Sequence, residues 1–129
     1  MKIILDTNFL IYCARGKLDY VELISNLINE NYELVVPNQI IEELKRLMIK
    51  AKKGRDKEAS NLALQILEKN INNNKIKKIY VEGGKVDDVL INLSKDDKKN
   101  IVCTLDREMR KKLPGVILIN RYKKLIVTR

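Results

Sequence analysis

The chain has 129 residues, with 26 Lys+Arg against 17 Asp+Glu (net charge +9) and neither histidine nor tryptophan. That length suits one domain with a substantial core, and the absence of histidine excludes a Ser-His-Asp triad, a Cys-His dyad and any His-ligated metal site. A balance this basic points to a polyanionic partner, nucleic acid first and an anionic membrane surface second.

Lys2 to Leu5 reads as a strand, because the uninterrupted apolar run Ile3-Ile4-Leu5 suits a strand covered on both faces. Asp6 stops it, and Asn8 to Cys13 follows as a short helix broken by Arg15-Gly16-Lys17. From Asp19 onward, Tyr20, Leu23, Ile24, Leu27 and Ile28 recur at helical spacing until Asn29 to Asn31. Glu33 to Val36 is a second strand, closed by Pro37. Asn38 suits the N-cap of a helix whose apolar side is Ile40, Ile41, Leu44, Leu47 and Met48. Lys50 to Lys57 reads as a basic loop around Gly54. Ala59, Leu62, Ala63, Ile66, Leu67 and Ile71 mark another amphipathic helix, ended by Asn72 to Asn74. Ile76 to Val81 is a third strand and Gly83-Gly84 a turn. Val86, Val89, Leu90 and Leu93 mark a helix entered through Asp87-Asp88. Ile101 to Leu105 is a fourth strand that repeats the first, an apolar run ending at Asp106. A short basic helix from Asp106 to Lys112 leads through Pro114-Gly115 to a fifth strand, Val116 to Ile119. Leu125 to Val127 is a candidate last edge strand.

Strands alternating with helices predict an α/β domain in three layers, helix–sheet–helix, around a parallel sheet of about five strands. In the order 3-2-1-4-5, the first and fourth strands are neighbours, and Asp6 and Asp106 face each other where open α/β sheets bind ligands. Asp88 opens the helix before the fourth strand, and Glu43 lies one turn into the helix after the second. Each of these also suits a structural role. Asp6 and Asp106 fit helix N-caps, Asp87 and Asp88 fit favourable first-turn charges, and Glu42 and Glu43 fit a solvated helix face. Four carboxylates at one rim repel one another by roughly 4 kcal/mol per pair at 4 Å, so such a cluster calls for protons or divalent cations. With no histidine present, the oxygen donors favour Mg²⁺ or Mn²⁺.

Four motifs in this order resemble the PIN domain, a family of Mg²⁺/Mn²⁺-dependent ribonucleases. They are D-T-N-F-L at Asp6–Leu10, I-I-E-E-L at Ile40–Leu44, V-D-D-V-L-I at Val86–Ile91 and C-T-L-D-R-E-M-R at Cys103–Arg110. Together they cover almost the whole chain, which the resemblance makes a single PIN domain over residues 1–129 with a Rossmann-like fold. It implies an endoribonuclease whose catalytic and metal-binding quartet is Asp6, Glu43, Asp88 and Asp106, with Glu43 selected over Glu42. Asn8 and Thr104 would orient the ligands or metal-bound water, and hydrolysis would leave 5′-phosphate and 3′-hydroxyl ends. The D-T-N-F opening and the T-x-D-R-E-x-R-K ending look closest to archaeal single-domain PIN proteins and the PIN nuclease of eukaryotic small-subunit rRNA processing. The VapC toxins share the acidic set. The implied partners are RNA, with a cognate antitoxin or ribosome-assembly factors, and a homodimer is common in the family. The alternative is a non-catalytic RNA-binding PIN scaffold.

Arg107, Arg110, Lys111 and Lys112 follow Asp106. Lys45, Arg46 and Lys50 follow Glu43, and Lys52, Lys53 and Arg55 occupy the basic segment. All are candidate phosphate contacts, of the kind that give affinity with little sequence choice. Tyr12, Tyr20, Tyr80 and Tyr122 are expected to serve core or edge packing before base stacking. Cys13 and Cys103 form no C-x-x-C pair and read as small buried apolar residues. No run approaches about 18 apolar residues, so no membrane span is expected. The first apolar run is cut by Asp6, so no signal peptide is read, and the expected location is the cytoplasm.

Overall fold

Ile3, Ile4 and Leu5 are each 0% exposed. Strand side chains alternate between faces, so a run with no exposed position must be covered on both. The structure, a computed structural model, describes residues 1–51 and 54–129. Its strands are β1 (Lys2–Leu5), β2 (Glu33–Pro37), β3 (Lys77–Ile79), β4 (Ile101–Cys103), β5 (Val116–Ile119) and β6 (Leu125–Thr128). They form one sheet in the order β3-β2-β1-β4-β5-β6. Every pairing is parallel except β5 with β6. The expected order is therefore observed, with the candidate edge strand added as an antiparallel sixth.

The helices are α1 (Thr7–Arg15), α2 (Tyr20–Leu27), α3 (Asn38–Lys50), α4 (Gly54–Asn72), α5 (Val86–Lys95) and α6 (Arg107–Lys111). Right-handed crossovers place the connections that carry α1 to α4 and those that carry α5 and α6 on opposite faces of the sheet. On one side α1 packs on α4 and α4 on α3, while α5 packs on β1 and β4. Phe9 and Tyr20 meet edge to face in the core, with ring centroids 6.2 Å apart, an arrangement aromatic pairs favour.

Three local expectations are corrected. The third strand, Lys77–Ile79, is shorter than Ile76 to Val81, because the Ile76 N–H donates to the Asn70 carbonyl and the Val81 N–H to Asn38 Oδ1. The basic segment is not one loop. α3 runs through Lys50 and α4 begins at Gly54, so Arg55 to Lys57 form its first turn, and Arg15 pairs with Asp56 at 3.3 Å. Lys52 and Lys53 lie outside the described residues. Asn38 is not the N-cap of α3 but its first residue. Its side chain is used elsewhere, as described below.

Because β1 to β5 are parallel, their carboxyl ends share one rim. Asp6, Asn38, Tyr80, Thr104–Asp106 and Asn120 each come just after a strand that ends there.

Candidate active site at the carboxyl rim of the sheet

Asp6 is 5% exposed. Its backbone N–H donates to the Cys103 carbonyl at 3.0 Å, which fixes it beside the end of β4. Three donors converge on its carboxylate. The Thr7 N–H donates to Oδ1 at 2.7 Å, the Thr104 hydroxyl donates to Oδ2 at 2.7 Å, and Asn8 Nδ2 donates to Oδ2 at 3.3 Å. Asp6 does cap α1, but that role uses only the first of these bonds. The other two come from residues whose remaining polar atoms also serve the rim. Asn8 Oδ1 accepts from the Leu105 N–H at 2.9 Å, and Thr104 Oγ1 accepts from the Asp106 N–H at 3.2 Å. Asp6, Asn8, Thr104 and Asp106 thus form one network joining β1 to β4.

Asp106 is half-buried and caps α6, its Oδ1 accepting from the N–H groups of Glu108 at 2.9 Å and Met109 at 3.4 Å. Glu43 is half-buried while Glu42 is exposed. Burial pushes the Asp6 carboxyl above the usual carboxylate range. The bonds from Thr104 and Thr7 oppose that shift, and the charges of Glu43 and Asp87 add to it. Burial and neighbouring negative charges both disfavour the ionised form of a carboxyl, and a proton or a cation relieves them.

Of the doubled pair, Asp87 is the one whose charge bears on Asp6. On a helix, residues spaced three, four and seven apart share a side. Asp87 therefore lies in line with Leu90 and Ser94, which are 0% and 1% exposed and turned toward the sheet. Asp88 lies in line with exposed Asn92 and, with Asn92 and Asp96, lines a separate hollow beside Gly83-Gly84. Sequence pattern placed an acidic pair at the right point in the chain, and helical phase selects its first member.

Two residues escaped the sequence reading. Asn38 Oδ1 accepts from the Val81 N–H at 2.7 Å, and buried Gln39 Nε2 donates to the carbonyls of Val81 at 2.6 Å and Gly83 at 3.0 Å. They tie the segment before α5 to the start of α3, and so hold the two helices that carry Asp87 and Glu43 in a fixed relation. The only sequence signal was a polar Asn-Gln pair ahead of an apolar helix face, where a simple N-cap is the ordinary reading.

Arg107, Arg110, Lys111, Lys45, Arg46 and Arg55 are all exposed, as phosphate contacts require. Lys111 also pairs with Glu108 at 3.4 Å. Lys53 lies outside the described residues. Cys13 and Cys103 are buried and free, and burial pushes the Cys13 thiol up to about 12, so neither offers a thiolate at neutral pH. Tyr20 is buried as expected, but Tyr80 and Tyr122 are 80% and 67% exposed and do not serve the core.

Among the described residues, no three acidic or cysteine side chains stand close enough to form a ready-made metal cage. The donor set still suits a hard cation. Mg²⁺ keeps several waters and is commonly held by one or two carboxylates, and this rim offers carboxylate oxygens with no competing nitrogen or thiolate.

A family model described as a PIN-like domain matches residues 3–121. The chain belongs to the PIN-like domain family. This PIN-like domain is 36% identical over 113 residues to "Ribonuclease VapC4" of Methanocaldococcus jannaschii, covering 87% of this chain and 82% of the relative. Among solved structures it resembles the PIN domain endonuclease Utp24, with a TM-score of 0.76 and 18% identity over 99% of this chain and 91% of that one. A domain of a functionally unknown protein from Methanocaldococcus jannaschii gives a TM-score of 0.56 at 17% identity, over 85% and 81% of the two chains. At such identities the structural neighbours establish the fold, an α/β domain with a central, mostly parallel sheet.

Proposed function

We infer that this PIN-like domain is an endoribonuclease, hydrolysing RNA phosphodiester bonds at the carboxyl rim of its sheet with a divalent cation, Mg²⁺ or Mn²⁺. The observation that carries this reading is the buried Asp6 carboxylate, tied to Thr104 and Asn8 and sharing its surroundings with the charges of Glu43 and Asp87. The relative named a ribonuclease, and the membership of the family, support the reaction class.

Asp6, Asp106, Glu43 and Asp87 are the residues that would hold the cation. When bound, it supplies a more acidic water and charge stabilisation for in-line phosphoryl displacement. The chain's own residues do the positioning. The Thr104 hydroxyl donates its single proton to Asp6 Oδ2, across 2.7 Å rather than the 3.4 Å to Asn8 Oδ1. That leaves Asn8 Oδ1 to the Leu105 N–H and Asn8 Nδ2 to Asp6. The carboxylate is thereby held in one rotamer, and such supporting bonds are commonly worth 10–100-fold in metal affinity or activity. Asp106 is oriented by its cap bonds through Oδ1. Arg107, Arg110 and Lys111, one turn beyond it, counter the repulsion between an acidic site and a polyanion.

The name of the VapC relative favours a toxin-type role with a cognate antitoxin as partner, and the cytoplasm is the place of action proposed with it. These belong to the same proposal. Incubating a structured RNA with the protein in Mg²⁺ or Mn²⁺, and again in EDTA, tests the reaction. Cleavage in the cation and none in EDTA is expected. Binding without cleavage in every condition would leave the chain a non-catalytic RNA-binding scaffold.

A further inference from the structure

β5 ends on the same rim as the acidic network, one strand beyond β4. The register pairs Cys103 with Ile117, which carried forward sets Asn120 level with Asp106. Neighbouring strands are about 4.8 Å apart, so the turn that starts at Asn120 begins about 10 Å, two strands, from the line of Asp6.

This turn is tightly built. The Asn120 N–H donates to the Lys124 carbonyl at 2.9 Å, and the Lys123 N–H donates to the Asn120 carbonyl at 3.0 Å. Asn120 Oδ1 accepts from the N–H groups of Tyr122 at 2.9 Å and Lys124 at 3.0 Å. Lys123 holds a φ of +61°, the left-handed conformation that closes three-residue hairpin loops and is usually given to glycine. The result is a hydrogen-bonded projection whose tip residues, Arg121 to Lys124, are all exposed. Tyr122 is 67% exposed. Its ring makes no contribution to the core and has one neighbour across its face. The Arg121 guanidinium carbon lies 5.0 Å from its centroid, a cation–π contact on one face. Tyr122 thus presents an exposed aromatic ring with an arginine on one face and two lysines following it. It suits a planar, electron-rich group carried on a polyanion.

We propose that the Asn120–Lys124 turn is a base-stacking contact for single-stranded RNA, with Tyr122 as the platform and Arg121 behind it. The inference rests on the reading of the rim as an RNA-cleaving site, and adds to it a contact two strands away from the acidic network. Unpaired bases expose their faces and stack on aromatic rings, whereas bases in a duplex are already stacked and present only edges and backbone. Tyr80, at the other end of the rim, is followed by Glu82 in place of lysines.

The chain has no tryptophan, so Tyr122→Trp introduces a single fluorescent reporter on the proposed platform. Titrating that variant with oligoadenylate in EDTA should quench its emission, whereas an RNA duplex should leave it little changed. In anisotropy with the labelled oligoadenylate, Tyr122→Ala should weaken binding about tenfold, Tyr122→Phe should match the parent, and duplex affinity should move less than about twofold. Unquenched tryptophan, or single-strand affinity unchanged in Tyr122→Ala, would overturn the platform and assign the turn to another partner, a protein among them. The parent protein in Mn²⁺ with the same RNA separates the two readings. Cleavage with no effect of Tyr122→Ala sinks the platform alone. Tyr122-dependent binding with no cleavage sinks the nuclease alone.

Discussion

At the scale of single residues, the account turns on which atoms surround Asp6. Thr104→Val removes the hydroxyl that donates to Asp6 at 2.7 Å, while keeping the shape of the side chain. Cleavage should fall about 10–100-fold with a smaller loss in thermal stability, the pattern expected of a positioning group; single-turnover rates and melting curves check both. The raised carboxyl of Asp6 carries a sign. A carboxyl whose folded pKa lies above its unfolded value favours the folded state when protonated. Its contribution is present below the unfolded carboxylate range and is lost as pH rises through the folded value. Metal-free protein should therefore gain stability from Asp6 on mild acidification, and Mg²⁺ should raise the melting temperature more at neutral than at acid pH. A Mg²⁺ effect that grew on acidification would contradict this.

Much of this residue-level picture is legible in the sequence, and the exceptions have physical causes. Asp6 and Asp106 announce themselves because each ends an apolar run, and Asn8 and Thr104 sit within the same short motifs. Asp87 and Asp88 are two adjacent acids that share the same sequence context. Only the phase of α5, set by buried Leu90 and Ser94, tells them apart. Asn38 and Gln39 were hidden for a different reason, since their partners Val81 and Gly83 lie more than forty positions away.

At the scale of elements, the strand order followed from the alternation of strands and helices, because few right-handed topologies accommodate it. What failed were boundaries where charge hides periodicity. The first turn of α4, Arg55 to Glu58, is wholly exposed and carries no apolar signal. The tie between α3 and the segment before α5 gives a prediction of its own. Gln39→Ala leaves the Val81 and Gly83 carbonyls without their donor and should cost about 1–2 kcal/mol of stability, measured by chemical denaturation. It should also lower cleavage, because α5 carries Asp87. In the β5–β6 turn, Lys123→Gly relieves a left-handed lysine and should stabilise the protein by about 1 kcal/mol. A destabilised variant would show that the lysine side chain is held by interactions the turn geometry does not require.

At the scale of the molecule, a chain with a net charge of +9 surrounds an acidic rim with exposed cations. RNA affinity should fall linearly on a log–log plot against salt. Replacing one phosphate-contacting cation, as in Arg107→Ala, should reduce the slope by about 0.7 for a single strand. The same charge distribution fits a protein that gathers RNA broadly and leaves selection to shape. No helix among the described residues is long and apolar enough to cross a membrane. The sharpest test of the whole account is RNA cleavage in Mn²⁺ by three variants side by side, Asp6→Asn, Asp87→Asn and Asp88→Asn. The first two should lose on the order of a hundredfold or more in rate, and the third should stay within a few-fold of the parent. Full activity in Asp6→Asn, or a loss confined to Asp88→Asn, would contradict it.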